Sequence, residues 1–260
     1  ERYQVHNIDI CGTAEPITER GFKYTFRPGH DIVLQADAAA KFLHEMGQKL
    51  GDPVNTVALI YENTDWGQSS AKIWKDSCKK YGMEIVLDEA YPHGSTDLTP
   101  VVIKLKKSKP DAVLNSSYIS DIILFVKTMA DLEFRCKAWV TNAGGETDPK
   151  FIPAVGNLGN YIMAATPFLP DLFEVKPWAR EVNEGFKAMT GDDLSVVSAM
   201  AYTDLYVMAE ALERAGSRDR QKLQSTLRNI EITSGNAMLL AAEKIAFNEK
   251  GENPYQRMLI

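Results

Sequence analysis

The chain has 260 residues, 45% of them apolar and 25% charged, with a formal net charge of −6. These values belong to an ordinary globular protein long enough for one large domain or two modest lobes, and they exclude a disordered chain. The acidic total argues against nucleic acid as the main partner, and no apolar run approaches the roughly 20 residues of a membrane-spanning helix.

In chain order, an apolar strand is expected over Val5 to Ile10, followed by Cys11-Gly12-Thr13-Ala14-Glu15-Pro16. An alternating strand, Phe22 to Arg27, ends at Pro28-Gly29. Asp31 then caps a helix to Leu50, with Ala36, Ala40, Leu43 and Met46 on one face. Next, four short apolar strands (Thr56–Tyr61, Glu84–Leu87, Asp111–Leu114 and Lys137–Thr141) alternate with amphipathic helices. Near-continuous apolar strands of this kind are buried on both faces, as in a parallel sheet covered by crossover helices. The helix after Trp66-Gly67 carries Ala71, Trp74, Cys78 and Tyr81 at helical spacing, which makes Trp74 and Tyr81 core residues, and it stops at Gly82. Asp97 caps a helix through Lys107 that Pro110 ends, and Ile122, Val126 and Met129 line the next one. Asp148-Pro149 opens a short helix, and Tyr161 to Ala165 makes a fifth strand. Helices then dominate: Pro177 to Met189, Ser195 to Ala215 and Gln221 to Asn229. Ile245–Phe247 and Tyr255–Ile260 look like a terminal hairpin around Asn248-Glu249-Lys250-Gly251.

An open parallel sheet binds ligands beyond the carboxyl ends of its strands. Those ends carry Glu62-Asn63-Thr64-Asp65-Trp66-Gly67, Asn115-Ser116-Ser117-Tyr118 and Thr141-Asn142-Ala143-Gly144-Gly145-Glu146. Trp66 is either a plug between loops or a lid on a ligand, with equal weight. Tyr118 is a second aromatic at a strand end or a staple at a helix start. Asn142, Gly144 and Gly145 offer amide and backbone donors, or make a tight turn. Glu146 can hold an ammonium or stand as a solvated carboxylate. Three such positions on adjacent strand ends favour a binding site jointly.

Catalytic motifs are missing. There is no dinucleotide or phosphate-binding glycine loop and no nucleophile elbow, and His6, His30, His44 and His93 lack ligand spacing and read as surface or loop residues. No enzyme, metal or cofactor is therefore expected. Lys104, Lys106, Lys107 and Lys109 read as a solvated helix face. Cys11, Cys78 and Cys136 show no metal or redox spacing; Cys78 reads as a buried free thiol, with a Cys78–Cys136 disulfide as the lesser alternative. Glu1 is not an initiator methionine, so a preceding segment is expected to have been removed or left out.

Five ordered pieces carry a resemblance: Pro16-Ile17-Thr18-Glu19-Arg20-Gly21-Phe22-Lys23-Tyr24-Thr25-Phe26-Arg27, Tyr61-Glu62-Asn63-Thr64-Asp65-Trp66-Gly67, Ser95-Thr96-Asp97-Leu98-Thr99-Pro100, Lys109-Pro110-Asp111-Ala112-Val113, and Ala201-Tyr202-Thr203-Asp204 with Ala211-Leu212-Glu213-Arg214-Ala215-Gly216. Together with Phe247-Asn248-Glu249-Lys250-Gly251 they resemble the type I periplasmic solute-binding proteins, in particular the leucine/isoleucine/valine-binding branch that serves ATP-binding-cassette (ABC) permeases.

The resemblance implies an α/β fold: a two-lobed clamshell, each lobe a mostly parallel sheet flanked by helices. The first lobe would be incomplete, because family members carry further residues before the position of Glu1 that supply its first βα units. The lobes would be 1–27 with 170–232 and 28–169 with 233–260, crossing near 27–31, 166–170 and 232–240. It places the clamp for a ligand carboxylate on Cys11, Gly12 and Thr13, the aromatic lid on Trp66 and a second aromatic at Tyr118. The acid that pairs a ligand amine would lie in the 142–146 loop, where Ala143 can occupy its place. The implied function is an extracytoplasmic solute-binding component of an ABC transporter, taking an amino acid of branched-chain type. Its partners would be that small ligand and permease subunits. A monomer in the periplasm or outside the cell, with or without a lipid anchor, is expected. The alternatives are a ligand-sensing domain of the same fold, or a binder of an amide, urea or aromatic acid.

Overall fold

The computed structural model describes residues 2–260. They fall into two compact units, one holding the chain up to Asp31 and Pro167–Leu259, the other Ile32–Thr166 with Ile260. Two expected crossings, near 27–31 and 166–170, lie at these boundaries. The third does not, because residues 233–259 fold with the first unit.

In the first unit, β1 (Asn7–Ile8) pairs in parallel with β2 (Thr25–Phe26). Both are shorter than the apolar runs suggested. The second unit then begins with α1 (Ile32–Leu50), β3 (Thr56–Glu62), α2 (Asp65–Tyr81) and β4 (Glu84–Tyr91). It continues through α3 (Thr99–Ser108), β5 (Ala112–Ser116), α4 (Ile119–Asp131) and β6 (Ala138–Thr141), and ends with α5 (Phe151–Val155) and β7 (Ile162–Ala164).

The five strands form one all-parallel sheet in the order β4-β3-β5-β6-β7. Alternation along each strand divides the core in two. Val57, Leu59, Tyr61 and Leu114 face α1 and α2, where Ala36, Ala40, Trp74 and Cys78 are buried. Ala58, Ile60, Val113 and Trp139 face α3, α4 and α5. A strand apolar on both sides is thus satisfied by helices on both sides, as the sequence pattern required. Trp74 is fully buried, whereas Tyr81 is only partly so and directs its hydroxyl to Asp37. Asp97 and Asp148 do not cap: each accepts a backbone N–H two residues on, from Thr99 and Lys150 respectively, just ahead of α3 and α5.

The first unit resumes with α6 (Leu172–Val175), α7 (Pro177–Thr190), α8 (Val196–Ala215) and α9 (Arg220–Arg228). A reciprocal capping box of Ser195 and Ser198 starts α8, and Gly216 in the left-handed region ends it. The terminal hairpin expected from sequence is not formed as drawn. Instead β8 (Glu231–Ile232) pairs antiparallel with β9 (Ile245–Ala246), and the tail meets the chain through an isolated Ala242–Gln256 bridge. Ile232, Ala237, Met238 and Ile245 share a core with Phe26 and Val207 of α8, which is why this segment belongs to the first unit. The Arg27 backbone N–H also donates to the Gly251 carbonyl at 2.7 Å.

Candidate ligand-binding site

Strand order locates a site in the second unit. After β3 the chain crosses to β4 on one side of it; after β4 it returns to β5 on the other. The carboxyl ends of β3 and β5 therefore flank the topological switch point, where open parallel sheets leave a crevice. Trp66 follows β3 in the first turn of α2, and Tyr118 follows β5 as the residue that starts α4. Their rings meet at 5.1 Å between centroids and 50° between planes.

The loop beneath Trp66 is built by a carboxylate the sequence did not single out. Glu62, fully buried, accepts from Thr64 N at 2.6 Å, from Thr64 Oγ1 at 2.8 Å and from Gly67 N at 2.8 Å. It supplies an anion and hydrogen-bond acceptors to the N-terminus of α2, whose free N–H groups favour both. Gly67 is demanded there, since a Cβ would fall 1.9 Å from the Glu62 carbonyl oxygen. Gly144 is equally constrained, with a Cβ landing 2.2 Å from the Ser117 carbonyl oxygen and 3.0 Å from Trp66 Cη2. Preceding it, Ala143 holds φ at +37°, a left-handed backbone that costs a non-glycine residue energy and recurs at functional loops.

Asn142 is tied to α2. It is buried, and its Nδ2 donates to Ser70 Oγ at 3.0 Å; Ser70 in turn donates to the Trp66 carbonyl and accepts from Ser116. This network fixes the start of α2 from below. Glu146 sits in a single 3-10 turn (Gly145–Thr147) and is tied inward. Its Oε1 accepts from Thr141 Oγ1 at 2.5 Å and from Gly144 N at 2.8 Å. Although the residue is partly exposed, its carboxyl is enclosed, and burial pushes its pKa up, against those two hydrogen bonds. It braces the loop.

Beside Tyr118 stands His93, just beyond the end of β4, with ring centroids 4.5 Å apart in an edge-on arrangement. Its Nδ1 lies 3.0 Å from Oδ2 of the fully buried Asp121 on α4. The sequence signal for His93 was its position at a strand end; the lack of metal-ligand spacing hid it.

In the first unit, Cys11 is exposed while Thr13 is buried. The loop is held by Arg27, buried to within 1%, whose Nη1 reaches the Gly12 and Ala14 carbonyls at 3.3 and 3.1 Å. Its Nη2 bonds Thr18 and, at 2.7 Å, Glu252. Gly12 is closely approached by side chains: a Cβ would meet Ile17 Cδ1 at 2.4 Å and both Asp9 carboxyl oxygens at 2.8 Å, so those side chains would have to shift. Asp204 on α8 is buried with neither oxygen bonded to any described residue. That burial, with Asp9 adding negative charge nearby, pushes its pKa up to about 9. His30, expected at the surface, is also buried. All three cysteines are free.

At the switch point of this doubly wound parallel sheet two tilted aromatic rings meet beside closely approached glycines. The chain belongs to the periplasmic binding protein family, whose model matches residues 2–260. It is a family of solute-binding proteins, not of enzymes. Among curated proteins, the chain is 27% identical over 253 residues to Leu/Ile/Val-binding protein homolog 7 of Brucella abortus, covering 94% of this chain and 63% of that protein. The chain thus spans under two thirds of that relative's length. Among solved structures, it resembles a leucine binding protein of Thermotoga maritima at TM-score 0.83 and 21% identity, covering 98% of this chain and 69% of that one. It also resembles a solute-binding protein of Rhodopseudomonas palustris in complex with benzoate at TM-score 0.84 and 15% identity, covering 99% and 67%. These neighbours are two-lobed α/β proteins. Among the described residues no helix is long and apolar enough to cross a membrane.

Proposed function

We propose that the protein is the solute-binding component of an ABC transporter, acting outside the cytoplasm and handing a small amphipathic ligand to permease subunits. The observation that carries this reading is the Trp66–Tyr118 pair at the switch point of the second unit, set over Gly144. Such a surface takes an apolar side chain or a ring by burial, while the neighbouring loops supply polar groups. Cys11, Gly12 and Thr13 would clamp the ligand's carboxylate, and two lobes closing on the ligand would exclude water.

An amino acid of branched-chain type is the leading ligand, in keeping with the names of the Brucella and Thermotoga proteins. An aromatic acid is the second reading. Glu146 is tied to Thr141 and Gly144, leaving no exposed carboxylate from that loop to pair an ammonium, and the Rhodopseudomonas neighbour holds benzoate. Calorimetric titration with leucine, isoleucine, valine and benzoate separates the two. Saturable binding of the aliphatic amino acids supports the first and of benzoate alone the second; binding of none overturns the reading.

A further inference from the structure

The second unit needs a group to meet a ligand's ammonium if the leading reading above holds, and Glu146 is turned inward. The segment after β4, held to α4, offers one. Asp121 is fully buried and acts as an acceptor on every side: from Gly94 N at 3.2 and 3.4 Å, from Ser120 Oγ at 3.2 Å, and against His93 Nδ1 at 3.0 Å. A carboxylate accepting from a backbone N–H and a hydroxyl requires the imidazole to donate through Nδ1. That fixes the tautomer of the neutral ring, leaving Nε2 with its lone pair as an acceptor.

The His93 side chain is 47% exposed, so the ring is anchored at one edge and open to solvent over much of the rest. It stands edge-on to Tyr118, which itself meets Trp66, so that Tyr118 links an acceptor that follows β4 to a second ring that follows β3. The buried Asp121 carboxyl stands directly behind the imidazole, at 3.0 Å from its Nδ1. Aromatic faces attract ammonium groups through their quadrupole. All three features select the same chemistry.

We infer that the His93–Asp121 couple, with Tyr118 and Trp66, forms the ammonium-recognition site of the second unit, with His93 Nε2 accepting from the ligand amine in the place the 142–146 loop was expected to fill. The inference rests on the solute-binding reading and deepens it, since it assigns the ligand to α-amino acids over simple carboxylic acids.

The test compares leucine with 4-methylpentanoate, the same molecule without its amine, by calorimetry on the wild-type protein and His93→Asn. Asparagine retains an N–H donor placed like Nδ1 for Asp121 and removes Nε2. The expected result is a loss of leucine affinity of about tenfold or more in His93→Asn. Affinity for 4-methylpentanoate and the melting temperature should stay nearly unchanged. His93→Gln, whose amide oxygen reaches further, should recover part of the leucine affinity and serves in its own right should the Asn variant fold poorly. Equal losses for both ligands, or none for leucine, overturn the ammonium site while leaving the binding function standing. A wild-type protein that takes benzoate but not leucine overturns it too. Binding of none of the three overturns the solute-binding reading itself.

Discussion

Trp66 and Tyr118 belong to different βα units yet meet ring to ring at 5.1 Å, because the strands they follow, β3 and β5, are neighbours in the sheet although β4 lies between them in sequence. The pair is only partly buried, with Tyr118 39% exposed, whereas Trp74 two turns along α2 is fully buried. The two tryptophans should therefore respond oppositely to truncation. Trp66→Ala is expected to weaken ligand binding by an order of magnitude or more while leaving the unliganded melting temperature nearly unchanged. Trp74→Ala should destabilise by about 3–5 kcal/mol, as large-to-small core changes do. Fluorescence titration and thermal melts of both variants check this. A Trp66→Ala protein that binds as the wild type does would show the ring to be a plug between loops.

Glu62 is expected to matter for stability through the start of α2. Its removal leaves Thr64 N and Gly67 N without their acceptor in a buried setting, a loss of about 1–3 kcal/mol. Urea denaturation of Glu62→Ala should show a lower midpoint with an unchanged slope. Gly67→Ala should be worse, because its Cβ would strike the Glu62 backbone and not a movable side chain.

Gly144→Ala tests the loop that lies against Trp66. The added methyl would meet the Ser117 carbonyl, so the loop must move away from Tyr118 and Trp66. Ligand affinity should drop at least about tenfold with a smaller change in stability, since the loop is partly exposed. Calorimetry alongside a thermal melt reads both quantities. Unchanged affinity would remove this loop from the site.

The second unit was legible in the sequence because its signal is local. Apolar runs, helix stops at Gly82 and Pro110, and polar residues after each strand all follow from neighbours along the chain. Trp66 and Tyr118 were singled out by that route as aromatics after strand ends. His93 and Glu62 were missed for a different reason: their roles depend on Asp121 and Gly67 being brought to them, and neither spacing is a motif. Glu146 stood at the right loop, but whether its carboxyl turned in or out was decided by Thr141, five residues back. The segment after Ile232 was misassigned because two-residue strands such as β8 and β9 carry almost no periodicity, so only their pairing reveals which unit they join.

The Asp204 carboxyl should leave a signature in the pH dependence of stability. It is buried on α8, has no hydrogen-bond partner among the described residues, and lies within the field of Asp9. Its pKa of about 9 in the folded protein lies far above the 3.8 of an ordinary aspartate. Above that ordinary value the unfolded chain releases the proton while the folded chain keeps it, so the unfolded state binds fewer protons and stability falls as pH rises. The effect is absent below about pH 4, grows by up to about 1.4 kcal/mol per pH unit, and levels off near pH 9. Asp204→Asn removes the titration and keeps the shape. Its melting temperature should exceed that of the wild type at neutral and alkaline pH, and the gap should close as the pH is lowered toward 4. Thermal melts of both proteins across that range measure it. Parallel curves at every pH would mean that Asp204 is ionised and compensated in the folded protein, and that the Asp9–Asp204 environment behind the Cys11–Thr13 loop is not the source of acid-favoured stability.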